Sequence, residues 1–379
     1  MKLAILNLTG GGISGGYKNY LQSMLPRLAA DPRITSVLCV APGSLGAEEL
    51  ATAGPKLRFV ECAPFRPFHN GVDRAMEELL SSYAPDLIFV PTARVAKFRD
   101  VPVVSMIQNM APLVSWEWYG PWQKLKLWVQ RAETFRAVAQ AEKIISISGF
   151  VHDFLRGAWA VPEAKIAPVY FGTPVPAANP RRPSNLPADW TSFLFTAGSV
   201  EPYRSLEDVI ECAEYFRKDL GSPVKIVVAG RAKADMRRYE AHLKRMAEKA
   251  GVAADLCWAG QISAEEMTWC YRNCLAFLMT SRVEAGPTTV LESMSCGAVC
   301  VAADNPPLPE FYGAAAVYYT PGDGRMLAAR IREVLAWEAG KLSVLSSAAH
   351  ARSREFTWEK TVDKTIELFQ EVLRNARAG

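Results

Sequence analysis

Two glutamates with seven residues between them, Glu284 and Glu292 in SRVEAGPTTVLESMSCG, bracket a Gly-Pro-Thr-Thr turn. Carboxylates accept hydrogen bonds from hydroxyl groups. Glu284 falls in a loop after the apolar run LAFLMTS, where a fixed carboxylate suits sugar hydroxyls, and Glu292 suits the two hydroxyls of a ribose. Between them TTVLESMSC reads as a short helix stopped by Gly297, whose positive end would offer the N–H groups of Thr289 and Val290 to a diphosphate. Glu292 also has a purely structural reading, since Thr289-Val-Leu-Glu292 matches a capping box. Arg204, in AGSVEPYRSLED, lies between an expected strand and an expected helix. From there a guanidinium meets a phosphate bidentately, or simply sits in solvent.

A glycine cluster, TGGGISGGY, follows the first apolar run and leads into a helix expected to begin near Tyr17. Gly10, Gly12 and Gly15 satisfy Gly-x-Gly-x-x-Gly, but no acidic residue closes a second strand as a ribose partner should, so a dinucleotide-dependent dehydrogenase is poorly supported. Glycines here permit close approach of a phosphate to backbone N–H groups, or merely a flexible turn. Residues 112 to 139 interleave Trp116, Trp118, Tyr119, Trp122 and Trp128 with Lys124, Lys126, Arg131 and Arg136. That pattern suits the headgroup region of an anionic bilayer, the alternative being that the tryptophans fill a core. Nucleic acid is a poorer partner, because the net charge is only +4 and no recognised module is present.

The elements that must position these residues follow from length and patterning. A chain of 379 residues, half of them apolar, is long for one core and predicts two domains. KLAILNL, ITSVLCVA, DLIFV, VPVVSMI and KIISIS read as buried strands alternating with amphipathic helices, which predicts a parallel sheet. A proline-dense linker, residues 171 to 190, interrupts the alternation. It resumes with SFLFTAG, VKIVVAG, ADLCWAG, LAFLMTS, AVCVAA and AVYYT. Two doubly wound domains would face each other across a cleft at the carboxyl ends of their strands. The last segment is amphipathic, with Val362, Ile366, Phe369 and Leu373 on one side. The expected division is residues 1–178, residues 179–355, and a helix over 356–379 packing back on the first domain. The opening residues lack a secretory pattern, no run is long enough to span a bilayer, and the eight cysteines read as reduced buried thiols, so a cytoplasmic protein without a structural metal is expected.

The Glu284–Glu292 spacing, followed by SMSCGAVCVAADNPPLPEFYG, resembles the signature of retaining nucleotide-sugar glycosyltransferases of family four, which have the GT-B fold. The resemblance implies that Glu284 and Arg204 are catalytic, Glu284 on the donor sugar. It implies a donor side made of Gly15, Gly16, Ser199, Arg204, Arg231, Gly286, Thr288, Thr289, Val290 and Glu292, with the base near Arg231 and the loop at Gly260 and Gln261. Gln108, Asn109, Trp116 and Trp118 would lie on the acceptor side. The implied reaction moves a sugar from a nucleoside diphosphate to a glycan or lipid-linked glycan, in bacterial-type polysaccharide or glycolipid assembly at the inner face of the cytoplasmic membrane. The leaving phosphate would help deprotonate the acceptor, with no cofactor and no divalent ion, in keeping with the absence of Asp-x-Asp. The chain departs from the family pattern at Ser199, where an arginine is usual, at Pro287 in Glu284-Ala-Gly-Pro287, and at Gln108, where many members have histidine. Those departures leave a catalytically silent partner as one alternative. A nucleotide-sugar epimerase of the same architecture is another, though the histidines are poorly placed for it.

Overall fold

The computed structural model describes residues 1–9, 15–43 and 54–378. The chain divides into two compact units, Met1–Gly172 together with Thr357–Gly379, and Thr173–Phe356. The first exchange falls at 172/173 rather than at the expected 178/179. Thr173 already belongs to the second unit, because its N–H donates to the Phe356 carbonyl at 2.9 Å and its hydroxyl to the Ser353 carbonyl at 2.6 Å.

In the first unit, β1 (Lys2–Leu6), α1 (Gly15–Ala30), β2 (Ser36–Pro42), β3 (Leu57–Cys62), α2 (Arg74–Tyr83), β4 (Leu87–Val90) and β5 (Val103–Ile107) come first. They are followed by α3 (Ala111–Val114), α4 (Pro121–Gln140), β6 (Lys143–Ser146), α5 (Gly149–Trp159) and β7 (Ile166–Pro168). The strands form one parallel sheet in the order β3-β2-β1-β4-β5-β6-β7. Continuous apolar runs such as LIFV and VVSMI are buried at every position, as a sheet covered on both faces requires. Helix starts are written in the sequence: Asp73 caps α2 by accepting from Met76 N–H, and Ser148 caps α5 by accepting from Val151 N–H.

The second unit repeats the plan with β8 (Leu194–Ala197), α6 (Leu206–Lys218), β9 (Ile226–Ala229), α7 (Arg237–Ala250), β10 (Leu256–Gly260) and α8 (Ala264–Asn273). It continues with β11 (Ala276–Met279), α9 (Thr288–Ser295), β12 (Cys300–Ala303), α10 (Leu308–Tyr312), β13 (Val317–Tyr319), α11 (Gly324–Leu335) and α12 (Ala339–Ser353). Its parallel strands run β10-β9-β8-β11-β12-β13. Strand order therefore reverses between β1 and β4 in one unit and between β8 and β11 in the other. Open sheets of this kind bind ligands beside that reversal, outside the carboxyl ends of the strands.

All six strands expected in the second unit are present, whereas the first has two that the patterning did not predict. β3 carries Arg58 and Glu61 within a half-exposed run, and β7 has only three residues, so neither shows the continuous apolar signal of a central strand. The terminal helix α13 (Trp358–Ala378) belongs to the first unit. It buries Trp358, Val362, Ile366 and Phe369, while Leu373 is half-buried. The Phe369 ring lies 5.3 Å from that of Phe89 on β4, and Asp363 and Glu371 pair with Arg33 and Lys143 at 2.5 and 2.6 Å.

Since Phe369 is fully buried, truncation to alanine should cost about 3–5 kcal/mol. Calorimetry on Phe369→Ala should show a clearly lowered melting transition. An unchanged transition would mean that α13 is not part of the first unit's core.

Candidate active site in the second unit

At the reversal point of the second sheet, β8 ends in Gly198 and β11 ends in the loop of Thr280 to Glu284. Gly198 has φ +144° and its N–H donates to the Ala229 carbonyl at 3.0 Å. A Cβ built on Gly198 would lie 2.9 Å from Arg204 Cζ, so the guanidinium rests on the face that a side chain would occupy. Gly230, at φ +125°, is tighter still, because a Cβ there would come within 1.7 Å of the Gly198 carbonyl oxygen. Gly198 thus clears the space in which Arg204 lies, and Gly230 makes room for the Gly198 carbonyl.

Arg204 Nη1 is 2.5 Å from Glu284 Oε1 and donates to Ser281 Oγ at 3.1 Å, with the two charged side chains only 16% and 11% exposed. Arg204 Nε is buried without a hydrogen-bond partner. Burial is the largest influence and works against the Arg204 charge, but Glu284, Tyr203 and Glu201 together hold the guanidinium above its usual value. Burial also pushes the Glu284 carboxyl above the ordinary glutamate range, with Arg204 and the Ser281 hydroxyl pulling it back. The two charged residues expected from the sequence to be catalytic are therefore in direct contact.

The backbone carrying Arg204 is held on both sides. The Thr280 hydroxyl donates to the Arg204 carbonyl at 2.6 Å, and Arg282 N–H donates to the Tyr203 carbonyl at 2.8 Å. Ser205 sits in the left-handed region at φ +51°, and its hydroxyl donates to Asp208 Oδ1 at 2.8 Å. Asp208 in turn accepts from Tyr319 OH at 2.8 Å and Gly322 N–H at 2.9 Å, and pairs with Arg282 Nη2 at 3.3 Å. Sequence reasoning missed Asp208. Its only signal is a carboxylate in the first turn of α6 among Leu206, Val209 and Ile210, all buried.

The start of α9 corrects one expectation. The helix begins at Thr288 with Pro287 as N-cap and no side-chain cap, so Thr289 is inside the first turn and no Thr289–Glu292 capping box forms. Pro287, at φ −76°, fixes the entry into the helix two residues earlier than that motif requires. Val290 N–H donates to the Pro287 carbonyl at 3.1 Å and the Val290 side chain is buried. Glu292 accepts from Tyr271 OH at 3.1 Å, a bond that orients its carboxylate independently of the helix end. Gly286 and Thr288 are half-buried beside it. Around the other side, Val200 N–H donates to the carbonyl of exposed Arg231 at 3.3 Å, and Gly230 N–H to that of Gly260 at 2.6 Å. The loops of half-buried Ser199, of Arg231 and of Gly260 are thereby laced side by side along the carboxyl edge of β8, β9 and β10.

In the first unit, Gly15 and Gly16 open α1, and a Cβ on Gly15 would meet nothing within 4 Å, so packing does not demand glycine there. Gly10 and Gly12 lie outside the described residues. Gln108 and Asn109 follow β5; the Gln108 amide donates to the Pro91 carbonyl at 3.0 Å, and Asn109 Oδ1 accepts from Ala111 N–H at 3.0 Å. Trp116 is half-buried, with Nε1 donating to the Pro112 carbonyl at 2.9 Å, and Trp118 is half-buried too. The eight cysteines are free thiols. Among the described residues no group of three or more His, Cys, Asp or Glu side chains is arranged to hold a metal ion, and no helix is long and apolar enough to cross a membrane.

Two parallel sheets with these strand orders, one in each unit, are those of the GT-B class of protein. Solved structures of that fold superpose along nearly the whole chain. Anabaena Alr3699/HepE in complex with UDP aligns with a TM-score of 0.71 at 17% identity, covering 98% of this chain and 100% of its own. WaaG, a glycosyltransferase involved in lipopolysaccharide biosynthesis, aligns at 0.68 and 13% identity, covering 97% and 99%. The family described as "Glycosyl transferases group 1" matches residues 180–352 and "Glycosyltransferase Family 4" matches residues 14–175. The chain belongs to the family four glycosyltransferases. Among curated proteins it is 24% identical over 186 residues to the serotype-specific mannosyltransferase WbdA of Escherichia coli, covering 49% of this chain and 22% of that one. To the O-antigen chain mannosyltransferase B of Escherichia coli it is 21% identical over 182 residues, covering 48% and 46%. The chain thus spans from about a fifth to about half the length of the curated relatives it matches.

Removing the carboxylate of Asp208 leaves Arg282 and the Tyr319 hydroxyl without their shared acceptor, which should cost about 3–5 kcal/mol. Asp208→Ala is expected to lower the thermal transition of the second unit far more than Tyr319→Phe, which removes one bond to a charged group worth about 1.5–3 kcal/mol. Equal, small effects would show that Asp208 does not hold the Arg204 loop.

Proposed function

We propose that the protein is a retaining, metal-independent glycosyltransferase that moves a sugar from a nucleoside diphosphate to a glycan or lipid-linked glycan acceptor, in bacterial-type cell-surface polysaccharide or glycolipid assembly. The observation that carries this reading is the buried Arg204–Glu284 pair seated on Gly198, beside the reversal point of the second sheet. Arg204 supplies fixed positive charge where a diphosphate leaving group gains negative charge, and a buried, preorganised cation is worth most there. Glu284 accepts hydrogen bonds from the donor sugar and Glu292 from the ribose, while Ser199, Gly286, Thr288, Thr289 and Val290 line the approach of the phosphates. Gly15 and Gly16 leave backbone N–H groups open to a phosphate, Arg231 flanks the base, and Gln108, Asn109, Trp116 and Trp118 serve the acceptor.

The donor class is supported by what the relatives are: two mannosyltransferases and a structural neighbour solved with UDP-glucose. Contact with an anionic membrane, at the inner face of the cytoplasmic membrane, belongs to the same reading. Exposed Trp122 and Trp128 beside Lys124 and Lys126 on α4 support it.

Purified protein incubated with a panel of nucleoside diphosphate sugars and glycan acceptors should be stabilised by one donor and turn it over. Stabilisation without turnover under any acceptor would instead assign a donor-binding partner of another transferase. Arg204→Ala should lower kcat/KM by about 100-fold or more, corresponding to about 3–4 kcal/mol of lost charge stabilisation. Wild-type turnover in that variant would remove Arg204 from the chemistry. Because Glu284 is pushed upward, its carboxyl takes up a proton at a higher pH than an ordinary glutamate with pKa of about 4.3. The rate should therefore fall on acidification above that range, and Glu284→Gln should flatten this limb. An unaltered acid limb would sink the assignment.

A further inference from the structure

Helix α4 exposes an unusual amount of apolar surface: Trp122 is 82% exposed, Leu125 52%, Trp128 52% and Phe135 50%. Between the middle of this helix and the end of α5 lies a groove of about 180 Å³, lined by Trp128, Arg131, Ala132, Phe135 and Trp159. An apolar cavity of about 150 Å³ holds a benzene molecule, so this groove has room for a stretch of hydrocarbon. Its walls are braced from behind. Phe135 meets Trp159 edge-on with centroids 5.3 Å apart, and Phe154 meets Trp159 at 5.0 Å. The Arg131 guanidinium is enclosed by the rings of Trp116, Phe154 and Trp159 at 5.9, 5.8 and 5.6 Å, and donates to the Leu113 carbonyl. An arginine committed in this way stiffens the floor of the groove.

Charge selects among possible occupants. Lys124, Trp128, Arg131 and Phe135 follow one another at spacings of four, three and four, so they share one face of α4, with exposed Lys124 one turn before the groove. The single acidic residue of α4, Glu133, is buried on Phe68 N–H at 2.8 Å and Arg136 at 2.6 Å. Across the groove, the acidic groups near α5 are paired: Asp153 with His152 at 3.2 Å, and Glu163 with His152 and Arg156 at 3.1 and 2.9 Å. An apolar slot with a free-standing cation at one end matches a hydrocarbon chain with a negative head.

We propose that this groove binds one hydrocarbon chain of an anionic amphiphile, with Lys124 meeting the head group. The proposal deepens the membrane contact suggested above and rests on that reading for the source of the chain, but not on the transferase activity. Dodecyl phosphate, titrated into the full chain below its micelle concentration and followed by calorimetry, should saturate at one per protein. Dodecyl maltoside should bind more weakly. Ala132→Trp, which fills the groove while leaving the exposed stripe in place, should weaken dodecyl phosphate at least tenfold. Lys124→Ala should weaken it severalfold and leave dodecyl maltoside unchanged. Trp128→Ala, at a half-exposed position, repeats the test should Ala132→Trp fold poorly. Absence of saturation, equal binding by Ala132→Trp and Trp128→Ala, or a concentration-dependent dimer that excludes the probe would each overturn the proposal. Flotation with phosphatidylglycerol vesicles separates the two readings: wild type that binds the probe but never the vesicles keeps the groove and loses the membrane contact.

Discussion

The Arg204–Glu284 ion pair is the constraint on which the second unit's site depends. A buried guanidinium and a buried carboxylate are each costly to desolvate, and the pair persists only because each is the other's partner and the surrounding backbone is fixed. Gly198, at positive φ, removes the side chain that would collide with Arg204, and Gly230 lets the Gly198 carbonyl lie against it. The Thr280 hydroxyl, the Arg282 N–H and the Asp208 network hold the three residues Tyr203 to Ser205 from behind. These bonds fix the backbone of so short a loop that the guanidinium stays within reach of its carboxylate.

For the proposed function the consequence is preorganisation. Arg204 does not have to be recruited when a negatively charged ligand arrives; its position is set in the free protein, at the end of the sheet where ligands of such folds collect. Glu292 is prepared in the same way by Tyr271, whose hydroxyl donates to the carboxylate from α8. The candidate site is thus assembled from strand ends and first helical turns, with Arg204 tied to Glu284 and Ser281, and Glu292 to Tyr271.

Much of this was legible in the residues. Unbroken apolar strands announced both sheets, and Arg204 and Glu284, singled out in the sequence, are in contact in the candidate site. Other features were not. Strand β3 is half-exposed and carries charges, so its pairing is decided by neighbours rather than by its own pattern. The Thr289–Glu292 capping box was a local match that the backbone overrides, because the helix starts two residues early, with Pro287 as its N-cap. Asp208 reads as an ordinary first-turn acid, and only the fold brings Tyr319, Gly322 and Arg282, more than seventy positions away, onto its oxygens. The tryptophans divide as no sequence rule foretold: Trp116 and Trp118 turn partly inward while Trp122 and Trp128 stay exposed.

A double-mutant cycle on Arg204→Met and Glu284→Gln, read by calorimetric binding of whichever of UDP or GDP binds better, tests the central claim most directly. If Glu284 holds Arg204 in place for the diphosphate, the two losses in binding free energy should fall short of additivity by more than about 1 kcal/mol. Losses that add to within about 0.5 kcal/mol would show that the two side chains act independently, and the account built on their pairing would be wrong.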